Sequence, residues 1–181
     1  MMSFFSIVVF IHVLSSMALF AAFALEAAIF LRIRSSRSAD QVYAGVLSFE
    51  RLRGIAIPAF LGVLVGGGYL ASGYGIGTAW ILASLVATLL IMLVGGVVTG
   101  MRMARLKKLV APARDAQDFE TTRAGVHSKA FVWSYGFRVE LTVGIVFLMT
   151  NRPHLAVSIS VLAASALTGV MLAVGCFRSG K

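Results

Sequence analysis

The chain has 181 residues, 59% hydrophobic and 13% charged, with a mean hydropathy of +0.93. Soluble domains carry about 25% charged residues, so this composition excludes an ordinary water-soluble fold and names lipid as the solvent. The net charge of +9 sits in short blocks between apolar runs. That placement suits anionic lipid headgroups and topology control, and excludes a nucleic-acid partner.

A spanning helix needs about 20 mainly apolar residues. Five runs approach or exceed that length: 4–31, 54–71, 79–101, 130–150 and 155–177. They predict an all-α, polytopic membrane helix bundle of five transmembrane helices, forming one domain over 1–181. The first run has no basic residue before it and is too long for the apolar core of a signal peptide. It reads as a retained helix. Pro58 is expected in the first turn of the second helix, where its missing N–H costs nothing.

The connector 32–53 is basic. Within it Asp40 can cap a short helix ending at Gly54, with Val42, Val46, Leu47 and Phe49 on its apolar side, lying in the headgroup plane; a coil is the alternative. A glycine turn, 72–78, joins the second and third helices. Residues 102–110 extend the third helix until Pro112 stops it. The following basic connector also holds Asp115, Asp118 and Glu120, read as solvated capping acids. Asn151–His154 forms the last connector. The two long connectors and the tail carry 14 of the 16 Lys and Arg residues. Positive residues stay cytoplasmic, so the expected topology has the N-terminus outside and the C-terminus in the cytoplasm. The implied location is a bacterial cytoplasmic (inner) membrane.

Soluble-enzyme signatures are missing: no GxxxxGK[ST], HExxH, CxxC or GxSxG occurs. The single Cys176 excludes an intrachain disulfide. Gly62-x-x-x-Gly66 and Gly96-x-x-x-Gly100 read as small-residue patterns for close helix packing, within the monomer or between copies. Trp80 and Trp133 fit interfacial belts.

Ionisable groups in a membrane core are costly and face the bundle interior or a polar cavity. His12, Glu26, Arg138 and Glu140 are therefore the candidate site. His12 lies roughly 12 Å inside the first helix and Glu26 about 8 Å from its other end. Their spacing of 14 residues puts them within about 40° of one another. Ser15, Ser16, Leu19 and Phe23 share that stripe. Arg138 and Glu140 stand about 200° apart on the fourth helix and do not pair. The depths favour Glu26 with Arg138, and His12 with Glu140, as one polar seam.

The seam supports proton, redox-cofactor or ion handling by an accessory membrane protein. A small-solute or ion transporter and a structural subunit are the alternatives, and the seam can instead fix helix register alone. His12 suits a proton relay, and it can ligate haem iron or copper. A second histidine for haem would come from His127 or His154. Met17, Met149 and Cys176 are soft ligands by type, though methionine in an apolar helix usually packs. A homo-oligomer or a larger membrane complex is an expected setting.

The segments Phe10-Ile-His12-Val-Leu-Ser-Ser16, the arginines after the first helix, Ala79-Trp80 and Phe147-Leu-Met-Thr-Asn-Arg-Pro153 together resemble an uncharacterised bacterial integral-membrane family, the domain-of-unknown-function family 2269. More distantly the chain is similar to copper-resistance D-like membrane proteins, which place a histidine early in the first helix; Ala21-Ala22 stands where those have glycine. The resemblance implies the membrane fold and supplies no reaction.

Overall fold

The computed structural model describes residues 3–75, 77–116 and 129–178. The order is α1 (Phe4–Arg34), α2 (Ala39–Ser72), α3 (Ala79–Leu93), a π-helical segment (Val94–Thr99), α4 (Gly100–Ala116), α5 (Lys129–Asn151) and α6 (Leu155–Arg178). No strand occurs among the described residues. Among the described residues five helices are long and apolar enough to cross a membrane, α3 through α4 counting as one from Ala79 to Pro112. The five-span expectation holds.

The surface of α1 explains why lipid must cover it. Phe10, Ile11, Leu14, Met17 and Phe20 are exposed. His12, Ser15, Ser16 and Leu19 are only partly exposed, and Phe23 and Glu26 are buried. The predicted stripe is thus the shielded side of α1. An apolar exterior around a more polar interior is stable only where the surroundings are hydrocarbon.

Three local expectations are corrected. The segment before Gly54 is neither a coil nor a separate helix, because α2 runs unbroken from Ala39 to Ser72. Its apolar side is taken up by protein: Val42 and Val46 are fully buried, with Phe49 and Leu52 nearly so. The cap belongs to Ser38, not Asp40. The Gln41 N–H donates to Ser38 Oγ at 3.4 Å, and Gln41 Oε1 accepts from the Arg37 N–H at 2.9 Å. This Ser-x-x-Gln pattern is a near relative of the capping box.

Pro58 consequently lies deep inside α2 instead of in a first turn. Helix continues through it and through Gly54 because a lipid-facing break would leave several backbone groups without any partner. Pro112 does not stop α4, which continues to Ala116. The expected acidic group is only partly within view: Asp118 and Glu120 lie outside the described residues, and so do His127 and Arg123. The side chains of Asp115 and Cys176 also fall outside them.

The chain divides into two compact units. One takes α1, α2 as far as Gly66, and α4; the other takes the end of α2, α3, the π segment, α5 and α6. In the first unit glycines admit neighbouring side chains. A Cβ at Gly62 would meet Ser15, one at Gly66 would meet His12 Cβ at 3.1 Å, and one at Gly45 would meet Ile33. The Gly62-x-x-x-Gly66 pattern therefore packs α2 on α1 within the monomer. Lys107 Nζ reaches both Glu50 carboxylate oxygens at 2.9 Å, joining α4 to α2.

In the second unit one pair of glycines admits backbone, while Gly144 admits the Ser165 side chain. A Cβ on Gly169 would lie 2.6 Å from the Gly136 carbonyl oxygen, and one on Gly136 would lie 2.7 Å from the Gly169 oxygen. Helices α5 and α6 thus touch main chain to main chain, as small residues permit. The two short connectors of this unit meet: the Arg152 guanidinium lies 5.1 Å from the centre of the Tyr74 ring, which stands edge-on to Trp80 at 6.0 Å. Both connectors therefore occupy the same end of the unit, as alternating spans require. Trp133 stacks on Phe137 at 5.6 Å.

Candidate functional site

His12 lies on α1 between the Ser15 and Gly66 contacts, and its orientation is fixed. Its Nδ1 is 3.1 Å from the Val63 carbonyl oxygen of α2. A carbonyl only accepts, so Nδ1 carries the proton. The neutral ring then holds its remaining lone pair on Nε2. Gly66 makes this placement possible by letting α2 approach the His12 Cβ. Ser16 Oγ donates back to the His12 carbonyl at 2.8 Å, so it spends its hydroxyl on its own helix.

Arg138 is handled differently. It is buried, and so is Glu26. Its Nε donates to the Ser134 carbonyl at 3.2 Å and its Nη2 to Thr99 Oγ1 at 3.4 Å. Thr99 and Ser134 share a hydrogen bond of 2.9 Å, and both are almost fully buried. Thr142 Oγ1 donates to the Arg138 carbonyl at 2.8 Å. The guanidinium lies against Gly95, where an added Cβ would stand 3.2 Å from Nη1 and 3.3 Å from Cδ.

Gly95 and Thr99 belong to the π-helical segment. Such segments are rare and recur at functional positions. Here the segment supplies a gap at Gly95 and a hydroxyl at Thr99 to the arginine. Glu140, two residues on from Arg138, is half-exposed.

Sequence reasoning missed Thr99, Ser134 and Gly95. Small hydroxyl residues in an apolar run look like packing, and nothing in Val94–Thr99 marks a π turn in advance. A Cβ on Gly96 meets nothing within 4 Å, so Gly96 packs on no helix among the described residues of the chain. Of the soft-ligand candidates, Met17 and Met149 are exposed on lipid-facing sides. Among the described residues, no three His, Cys, Asp or Glu side chains come together as a metal-binding group.

The five apolar spans agree with the comparison to known families. A family model described as predicted integral membrane protein, DUF2269, matches residues 6–153. The chain belongs to the DUF2269 family. The matched region takes in His12, the π segment, Arg138 and Glu140, so every candidate site residue lies within the DUF2269 part of the chain. No curated protein and no solved structure matches the chain.

Proposed function

We propose that this DUF2269 protein is an accessory protein of a bacterial cytoplasmic membrane that handles protons or a redox cofactor at His12. The observation that carries this is the hydrogen bond from His12 Nδ1 to the Val63 carbonyl. It fixes the ring and the tautomer and leaves Nε2 basic. A ring so held can take up a proton, or present Nε2 to a haem iron or copper ion with its orientation already set. A wider polar seam through Glu26, Arg138 and Glu140 belongs to the same reading, from their depths in the apolar runs of the sequence. The pairing of Glu26 with Arg138 rests on their matched depths in the sequence. An outside N-terminus, from the distribution of Lys and Arg, and operation inside a larger membrane complex or homo-oligomer belong to the same reading.

The test is the absorption spectrum and metal content of protein purified from native membranes, followed by proton flux in liposomes. A haem or copper signal lost in His12→Ala supports the ligand form. Proton flux lost in His12→Ala supports the relay. A colourless, metal-free protein whose flux is unchanged by His12→Ala overturns the proposal and leaves His12 as a packing residue.

A further inference from the structure

A second feature lies on α2, where its charged beginning gives way to its apolar run. Glu50, Arg53, Gly54, Ile57 and Pro58 line a shallow, open cleft. All five are exposed. Their spacing of three and four residues places them on one side of the helix. The cleft therefore runs along the helix axis, with ionic groups at one end and apolar groups at the other. The polarity gradient matches the boundary between headgroups and hydrocarbon.

Its chemistry is asymmetric. The Glu50 carboxylate is already matched, both of its oxygens being 2.9 Å from Lys107 Nζ. Arg53, by contrast, forms no ion pair among the described residues. The cleft thus offers one unmatched positive charge. Pro58 adds a second polar opportunity. It has no N–H to donate to the carbonyl four residues back, so the Gly54 carbonyl is without its usual helical donor. Gly54 has no side chain over that carbonyl, and a Cβ there would meet nothing within 4 Å. Ile57 and Pro58 then supply an apolar floor one turn further on.

We propose that this cleft binds a single anionic glycerophospholipid. Its phosphate sits on Arg53, a headgroup hydroxyl donates to the Gly54 carbonyl, and the first acyl methylenes lie along Ile57 and Pro58. A guanidinium suits a phosphate because its planar donors take two oxygens at once. A glycerol headgroup provides the hydroxyl donor, so phosphatidylglycerol satisfies all three elements. A choline headgroup has no hydrogen to donate to the carbonyl and leaves the lipid with no net charge. This assignment does not depend on His12 or on which face of the membrane the cleft occupies.

The experiment is native mass spectrometry of the full chain in nonionic micelles titrated with dioleoyl-phosphatidylglycerol or dioleoyl-phosphatidylcholine, counting retained lipid. The intact protein is expected to retain one phosphatidylglycerol in preference to phosphatidylcholine. Arg53→Gln is expected to weaken that retention about fivefold, the effect of one cation near a charged surface. Arg51→Gln removes the same charge from the same turn but outside the cleft, and should retain lipid like the parent. Arg53→Lys keeps the charge without the fork and should recover a part of the loss, which separates binding from misfolding. Pro58→Ala returns the missing N–H to the Gly54 carbonyl and should weaken retention by a smaller factor. Equal losses in Arg53→Gln and Arg51→Gln would overturn the proposal in favour of diffuse surface charge. Equal retention of the two lipids, or equal competition by soluble glycerol phosphate, would overturn it as well.

Discussion

The two units of this membrane chain share glycines that receive side chains, but only the second has a pair that receives backbone. In the unit built on α1 and the first part of α2, glycines receive side chains: Gly62 takes Ser15 and Gly66 takes His12. In the unit built on α3, α5 and α6, Gly136 and Gly169 receive each other's backbone. The polar residues follow the same division. His12 has one ring nitrogen engaged, whereas Arg138 is held by Ser134, Thr99 and the gap at Gly95. A side chain can move aside when its neighbour changes, but a main chain cannot move without its helix. The first unit thus holds a histidine with one ring nitrogen open, and the second an arginine secured on three sides.

The sharpest way to break that contrast is at the main-chain contact. Gly169→Ala should cost about 3 kcal/mol, at the upper end for overpacking, because no flexible atom can yield. Unfolding in sodium dodecyl sulfate mixtures measures this, and a near-neutral result would show that α5 and α6 separate easily.

Next in size is the arginine. Arg138→Met strips the Ser134 carbonyl and Thr99 Oγ1 of a buried charged donor, a loss of about 2 to 3 kcal/mol. If Glu26 pairs with Arg138, the double variant with Glu26→Gln should lose less than the two single losses added together. Strict additivity would remove the pairing from the seam while leaving the arginine's seat at Thr99 intact.

The smallest expected effect belongs to the first unit. Gly62→Ala should cost between about 1 and 2 kcal/mol, because the Ser15 hydroxyl can turn aside but its Cβ, 2.9 Å from the added one, is fixed to α1. Adding Ser15→Ala removes only the hydroxyl and should return a part of it. A cost as large as that of Gly169→Ala would erase the distinction between the units.

Much of the fold was legible because lipid leaves few alternatives. Apolar runs of the required length gave the five spans, and the 14-residue spacing of His12 and Glu26 gave the shielded stripe of α1. The site was legible only in its charged members. Charge inside an apolar run is conspicuous, but Thr99 and Ser134 differ little from residues that merely pack. The extent of α2 was hidden for a different reason. Gly54 and Pro58 are both poor helix residues in water, and their tolerance depends on a bilayer that offers no competing hydrogen bonds. The pattern Ser38-x-x-Gln41 was visible, yet Asp40 stood beside it with an equally good capping side chain.

The placement of the two tryptophans gives the second unit a pair of optical probes at known positions. Trp80 sees Tyr74, which carries the Arg152 guanidinium over its ring. Trp133 stacks on Phe137, and these two residues directly precede and follow the turn that bears Ser134 and leads to Arg138. With only two tryptophans in the chain, replacing either by phenylalanine leaves emission from one locality alone. The Trp133 signal then follows the arginine's surroundings, and the Trp80 signal follows the short connectors. A ligand or partner that binds at one of these two localities can be assigned to it by the change in emission of the tryptophan left there.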